Sequence, residues 1–337
     1  MSNLCGKAFS LALILATVCI GAPRVWSAPV SLAAPDIVSY FPKDIFFQHQ
    51  FLRTNLLENT VNGDLEGVKY SIEKEHADVN QTDDNGTTSL ILAAGQGHLN
   101  IVKYLVGKRG YIEGTNIKAA DVNQTNENGI SPLMIAALMG KTDVVTFLVT
   151  PENHADVNQT DFTGNNALIF AVLQEHPETV KALLTSKKID VNEPNTVGDT
   201  ALIYAAQQPN ADIVEMLVKD KRTDINHPNQ DGVTALIYAA QEGNVKAVEH
   251  LITVGHADTE KTITLPYRES GQEFLLEKVT ALMLAADHGH LEVITTLVEK
   301  GNANVNATTN NGLTALTFAE KAGHTKIADY LRAHMHQ

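Results

Sequence analysis

Gly232-Val-Thr-Ala-Leu-Ile-Tyr-Ala-Ala240 is the phrase on which the reading of this chain turns. The residues before it, Asn229, Gln230 and Asp231, form a turn with Gly232, where glycine supplies a backbone conformation that other residues resist. Thr234 stands where it can cap a helix. Leu236, Ala239 and Ala240 then share one face of a short helix, and the two alanines let a neighbouring helix come close. Gly243 ends that helix. Asn244 is placed to cap a second one, which buries Val245, Val248, Leu251 and Ile252 at helical spacing before Gly255 ends it. Helices of roughly ten residues or fewer are marginal alone in water. A unit of this kind needs a copy of itself on either side.

The copies are present. Gly198-Asp-Thr-Ala-Leu-Ile-Tyr-Ala-Ala206 and Gly312-Leu-Thr-Ala-Leu-Thr-Phe-Ala319 repeat the phrase. Its leucine recurs as Leu56, Leu90, Leu133, Leu168, Leu202, Leu236, Leu282 and Leu316, at spacings of 34, 43, 35, 34, 34, 46 and 34. A second signature follows in each unit: Asp78-Val79-Asn80, Asp121-Val122-Asn123, Asp156-Val157-Asn158, Asp190-Val191-Asn192, Asp224-Ile225-Asn226 and Asn304-Val305-Asn306. Ser131-Pro132 puts proline at a first helical position, where its missing N–H costs nothing. The units are expected at 53–82, 83–125, 126–160, 161–194, 195–228, 229–277, 278–308 and 309–337, the first of them degraded and cap-like.

Over about residues 53–335 these phrases resemble the ankyrin repeat family. The resemblance implies an all-α fold: a β-turn finger and a helix pair per repeat, stacked into a single curved solenoid. It also implies binding of a partner protein on the concave side, through finger tips and first helices, with no catalysis. The family's usual Thr-Pro-Leu-His is here mostly Thr-Ala-Leu-Ile or Thr-Ala-Leu-Met, as at Met283. An apolar residue thus replaces a histidine that bonds between turns, and more apolar packing is expected there with the fold unchanged.

The N-terminus carries a different signal. Lys7 precedes an apolar run from Ala8 to Ala22, and small residues follow, which reads residues 1–33 as a secretory signal cleaved after Ser27 or Ala33. The run is short for a membrane span, which needs about 20 residues; an uncleaved anchor and a buried helix are the other readings. Val18 before Cys19 argues against a lipoprotein signal. Cys5 and Cys19 are the only cysteines, so cleavage leaves no thiol for a disulfide, a zinc-thiolate site or a nucleophile. Residues 34–52 are expected to cap the repeats, Ile45, Phe46, Phe47, Phe51 and Leu52 forming a helix over the first one. The formal charge of -14 repels phosphate backbones and anionic lipid, so nucleic acid and membrane surfaces are not expected partners. A neutral or basic protein surface is.

Two insertions interrupt the spacing. Gly107–Lys118 reads as a surface loop. Thr259–Glu277 falls at a finger, where two β-prone segments flank Pro266 and Gly271, and reads as a hairpin longer than its neighbours. Tyr267 and Arg268 near its tip are residue types that anchor interfaces, and Phe274 joins them. The family's partner-facing positions carry Phe162, Asn165, Leu138, Met139, Gln174, Val197, Asp199, Gln207, Gln208, Val233, Gln241, Glu242, Asp287 and His288.

Sites of chemistry are not expected: no catalytic residue, cofactor or metal is read from the chain. His288, His290, His334 and His336 are histidine pairs in sequence, but His290, like His98 and His324, sits at a Gly-His position that is structural in the family, and the C-terminal pair has no third ligand. No phosphate loop, dinucleotide fingerprint or nucleophile elbow appears. The Asn-x-Thr triplets at Asn80, Asn123 and Asn158 belong to the repeat phrase, which favours a structural role over glycosylation. The chain is therefore expected to be an exported, periplasmic or secreted, monomeric module that binds one protein. An inhibitor or immunity factor for an enzyme, or an effector bound to host proteins, are the alternatives.

Overall fold

The structure, a computed structural model, describes residues 55–107, 111–269 and 272–335, with 267–269, 272 and 273 as backbone only. The signal reading of 1–33, the capping reading of 34–52, the side chains of Tyr267 and Arg268, and His336 all lie outside the described residues.

Helices come in pairs: α1 (Asn55–Asn62) with α2 (Leu65–Glu73), α3 (Ser89–Gln96) with α4 (Leu99–Val106), α5 (Pro132–Leu138) with α6 (Thr142–Leu148), and α7 (Ala167–Leu173) with α8 (Pro177–Leu184). Then follow α9 (Ala201–Gln207) with α10 (Asp212–Lys219) and α11 (Ala235–Gln241) with α12 (Val245–Thr253). The hairpin β1 (Thr262–Glu269) and β2 (Gln272–Thr280) precedes α13 (Ala281–His288) with α14 (Leu291–Glu299) and α15 (Ala315–Ala322) with α16 (Thr325–His334). Contacts divide the chain into two units, residues 1–162 with 166–188, and 163–165 with 189–337. In the first, α1, α3, α5 and α7 pack one on the next, as do α2, α4, α6 and α8; in the second, α9, α11, α13 and α15 do so, and α10, α12, α14 and α16.

The helices start where the sequence says. The side-chain oxygens of Thr88, Ser131, Asn166, Thr200, Thr234, Thr280 and Thr314 each accept from the backbone N–H three residues on. Such a cap satisfies one of the donors a helix start leaves open. Asn244 does the same for α12. At six of these caps the donor is Ile91, Met134, Ile169, Ile203, Ile237 or Met283, whose side chains are buried, so the apolar packing expected in place of histidine is present there; at the seventh the donor is the half-buried Thr317. The alanine pairs 93–94, 136–137, 205–206, 239–240 and 285–286 are fully buried where first helices meet.

Among the described residues the only strands form one long finger. β1 and β2 form a two-stranded antiparallel sheet that pairs Thr262 with Thr280 and Glu269 with Gln272. Its inward face brings Ile263, Leu265, Leu276 and Val279 into the core, while Leu275 is 59% exposed. The register slips between Ile263 and Leu265, where Lys278 on β2 holds a positive φ of 64°. An extra residue of this kind bends its strand and sharpens the twist. On its outer side β2 is clamped by the last finger: Glu277 donates its N–H to Asn310 Oδ1 at 3.0 Å, and Asn310 donates its own N–H to Glu277 O and its Nδ2 to Leu275 O. β1 contains Pro266, which removes a donor from the strand and discourages pairing with other chains.

The other insertion, 107–118, closes on itself more than a plain loop would. Tyr111 and Lys118 form a β-bridge, Ile112 N–H donates to Ile117 O at 2.9 Å, and Ile112 is buried to 1% exposure.

One core group is out of place. Ser89 occupies the helix position that Ala201, Ala235 and Ala281 fill elsewhere, is fully buried, and its Oγ has no hydrogen-bond partner. A buried polar group without a partner costs about 1–3 kcal/mol. Ser89→Ala is therefore expected to raise stability by about 1 kcal/mol, read as a higher thermal or denaturant midpoint with an unchanged denaturant slope.

Candidate functional site: finger tips and first-helix ends

Within each unit, two ladders of side chains help set where one repeat sits against the next. The first runs through the Asp-Val-Asn signature. Within each signature the aspartate Oδ1 accepts the N–H of the asparagine two residues on, as in Asp121 with Asn123 and Asp224 with Asn226. That asparagine then reaches into the following repeat. Asn80, Asn123, Asn192 and Asn226 accept the N–H of Asp121, Asp156, Asp224 and Asp258 at 2.7–2.8 Å. Asn123, Asn158 and Asn192 donate Nδ2 to the carbonyls of His154, Lys188 and Arg222. The amides of Asn123 and Asn158, both in Asn-x-Thr triplets of the repeat phrase, are thus already used as donors. Glu260 stands in for asparagine before the seventh pair, accepting from Asn304 N–H at 2.9 Å.

The second ladder joins first helices. The imidazoles of His98, His176, His290 and His324 lie within 3.3 Å of the carbonyls of Val61, Leu138, Gln241 and Asp287, at the end of the preceding first helix. Asn244 donates to Gln208 O at 2.6 Å in the same way. Each ring needs a glycine opposite it. A Cβ on Gly63, Gly140, Gly243 or Gly289 would lie 2.6–2.8 Å from an imidazole atom, and all four hold positive φ, from 61° to 84°. The Gly-His phrase therefore works across a boundary, each glycine making room for the histidine of the next repeat.

These ladders hold out the candidate partner-facing residues. Phe162 is 75% exposed at its finger tip and Val197 43% exposed at its own. Glu242 and His288 are exposed; Asn165, Met139, Gln174, Gln207, Gln208, Gln241, Phe274 and Asp287 are half-buried. Three expected positions are corrected. Leu138, Asp199 and Val233 are 3%, 1% and 3% exposed and offer no surface to a partner. Asp199 and Val233 share one repeat position, immediately before the capping threonine. The returning limb of the finger turns that residue inward, as it does Val279. Leu138 is the last residue of α5, and its side chain is enclosed while its carbonyl holds His176.

Burial raises the carboxyl of Asp287 above the usual carboxylate range, with His288 and His324 opposing. Burial also lowers His290 below the usual imidazole value, its bond to Gln241 opposing. Among the described residues no three His, Cys, Asp or Glu side chains come together as metal ligands. His334 instead stacks on Tyr330 at 4.1 Å between ring centroids. A recess of about 380 Å³ in the first unit is lined by Lys118, Asp121, Glu152 and His154 among others. No described helix is long and apolar enough to cross a membrane.

A family model described as ankyrin repeats (3 copies) matches residues 56–161, 111–195, 168–264 and 263–337. The chain belongs to the ankyrin repeat family. Ankyrin repeats are generally modules of protein–protein interaction and typically non-catalytic. No curated protein matches the chain.

In this ankyrin array the histidine ladder explains what the sequence could not. Gly97-His98 and Gly289-His290 are neighbours in sequence, but the contact that matters lies one repeat away, and no single phrase shows it. His290→Ala removes the bond to Gln241 O and is expected to cost about 1–2 kcal/mol. His290→Asn is expected to keep most of that stability, because Asn244 already makes the same bond. The sign of the pH dependence follows from the lowered imidazole value. The unfolded chain binds a proton more readily than the folded one, so the wild type loses this contribution as pH falls below the unfolded value of about 6.5. The acid-side loss should be smaller in His290→Asn, measured by urea unfolding at stepped pH.

Proposed function

We propose that this chain is an exported, non-catalytic binding protein that takes hold of one partner protein through its finger tips, its first-helix ends and the β1–β2 hairpin. The observation that carries the reading is the hairpin. It is the one finger, among the described residues, that becomes a ladder of eight and nine residues. Its base is fixed on two sides, by Ile263, Leu265, Leu276 and Val279 in the core and by the Asn310 clamp. A rigid base under a projecting tip presents side chains with little ordering cost on binding. Tyr267 and Arg268 fall in that tip, and aromatic and arginine anchors dominate many interfaces. Phe162 and Val197 add exposed apolar tips on other fingers, and the acidic balance favours a neutral or basic partner surface. Export rests on the reading of residues 1–33.

The test keeps the core and shortens the tip. Removing residues 262–275 would take Ile263 and Leu265 with it, so the informative variant retains 262–266 and 275–280 and joins Pro266 to Leu275 by Asn-Gly, a two-residue hairpin turn. The mature protein is used as bait on a periplasmic or secreted fraction, with quantitative mass spectrometry. One partner is expected to bind wild-type bait and to be depleted tenfold or more on the shortened bait, whose helical signal and unfolding midpoint are unchanged. Equal recovery on both baits removes the hairpin from the reading. Separately, the exported chain should begin at Ala28 or Ala34 by intact mass; a full-length cytosolic chain would overturn the export reading.

A further inference from the structure

Asp199 is a carboxylate at a finger position that the next two repeats fill with a buried valine. The equivalent residues in the next two finger limbs are Val233 and Val279, 3% and 0% exposed. Asp199 is 1% exposed and, among the described residues, no Lys, Arg or His pairs with it. Its charge is met by one neutral donor, Asn229 Nδ2, at 2.8 Å. That contact joins two fingers. Asn195 Oδ1 accepts the N–H groups of Val197 and Asp199, and Asn195 N–H donates to Asp199 O, which closes the fourth finger. Asn229 Oδ1 accepts the N–H groups of Asp231 and Val233, which closes the fifth. One side of Asn229 shapes its own finger while the other holds the carboxylate of the preceding one.

The surroundings favour the neutral acid. The groups facing Asp199 are Asp231 on the fifth finger and Tyr238 on α11, with Tyr204 on α9 next to Tyr238. None is a cation. Asp231 adds a like charge. The Tyr204 hydroxyl already accepts from Asn195 Nδ2 at 2.8 Å. Tyr238 is 4% exposed, lies beside Asn229, and its hydroxyl has no hydrogen bond of normal geometry. A buried charge with no partner of opposite sign is costly. A protonated carboxyl keeps one oxygen for Asn229 and carries no charge into the core.

We propose that Asp199 makes this pair of fingers a pH-responsive element, held more tightly when its carboxyl is protonated than when it is ionised. The direction follows from burial, which raises the carboxyl above its usual range, with Asp231 adding to the rise and Asn229 opposing it. Between the unfolded and folded values the folded chain keeps a proton that the unfolded chain has released. Folding is therefore penalised above that range, and the penalty fades as pH falls through it. His176 and His290, whose imidazoles burial lowers, act with the opposite sign, so the wild-type profile alone does not isolate Asp199, whereas a variant does.

The experiment compares the wild type with Asp199→Asn, which keeps an acceptor for Asn229 and cannot ionise, and with Asp199→Val, which copies the neighbouring repeats. Thermal midpoints and amide hydrogen exchange in residues 195–199 and 229–233 are measured from about pH 7.5 to about pH 4.5. At the upper end Asp199→Asn is expected to melt about 2–4 °C above wild type, and the gap should close on acidification. Wild-type protection in the two fingers, corrected for the intrinsic exchange rate, should rise over the same range and stay flat in the variant. A gap that does not change with pH, or a wild type that weakens relative to Asp199→Asn on acidification, overturns the proposal. Should Asp199→Asn fail to fold, the same comparison with Asp199→Val decides it, a gap that closes supporting the proposal and a constant one refuting it. Neither outcome depends on a partner, so the result stands apart from the binding reading.

Discussion

Every repeat here has an apolar side it cannot cover by itself. Helices of seven to ten residues form only because Leu236 and Ala239 in one copy meet their counterparts in the next. Apolar burial, however, sets no register: an alanine pair slides over another alanine pair at little cost. The ladders supply the register. An imidazole on a helix-end carbonyl and an asparagine on the next repeat's N–H are directional, and both are made at one spacing only. Apolar packing provides the drive within each unit, and these hydrogen bonds fix the position at which it acts.

How much of this was legible in the sequence follows the same division. Whatever depends on residues close together could be read directly: the Thr234 cap, the Gly243 stop, the stripe of Val245, Val248, Leu251 and Ile252, of which all but the half-buried Val245 are enclosed, and the longer finger at Thr259–Glu277, whose strands run Thr262–Glu269 and Gln272–Thr280. Local propensity and periodicity carry those signals. Whatever depends on contact between copies could not. The Asp-Val-Asn signature was visible as a repeated string, but its use of Asn123 to hold Asp156 is a contact across 33 residues. The closed insertion pinned by Ile112 looked like an ordinary loop because Tyr111, Ile112 and Ile117 follow neither a helical nor a strand period that would betray it.

The misplaced surface residues are equally instructive. Asp199 was read as partner-facing because the resemblance puts finger residues on that side, yet its position in the finger is the inward one that Val233 and Val279 also occupy. Side-chain alternation along a two-stranded turn decides the facing, and chemistry decides only the cost of it. A charged residue at such a position breaks the agreement between pattern and environment that the rest of the chain maintains, and such breaks mark places where a sequence serves something besides stability.

The hairpin shows the reverse case, an irregularity that the fold goes out of its way to support. A long finger with no anchoring would add unpaired backbone and mobile side chains, and its edges would invite pairing with other chains. Here four apolar residues root it, Asn310 closes the outer side of β2 with three bonds, Lys278 takes a strained backbone to turn it, and Pro266 blunts β1. A loop that merely tolerated insertion would need none of these supports. Each constrains the base of the hairpin, which is why the proposed capture of a partner is assigned to this finger in preference to the regular ones.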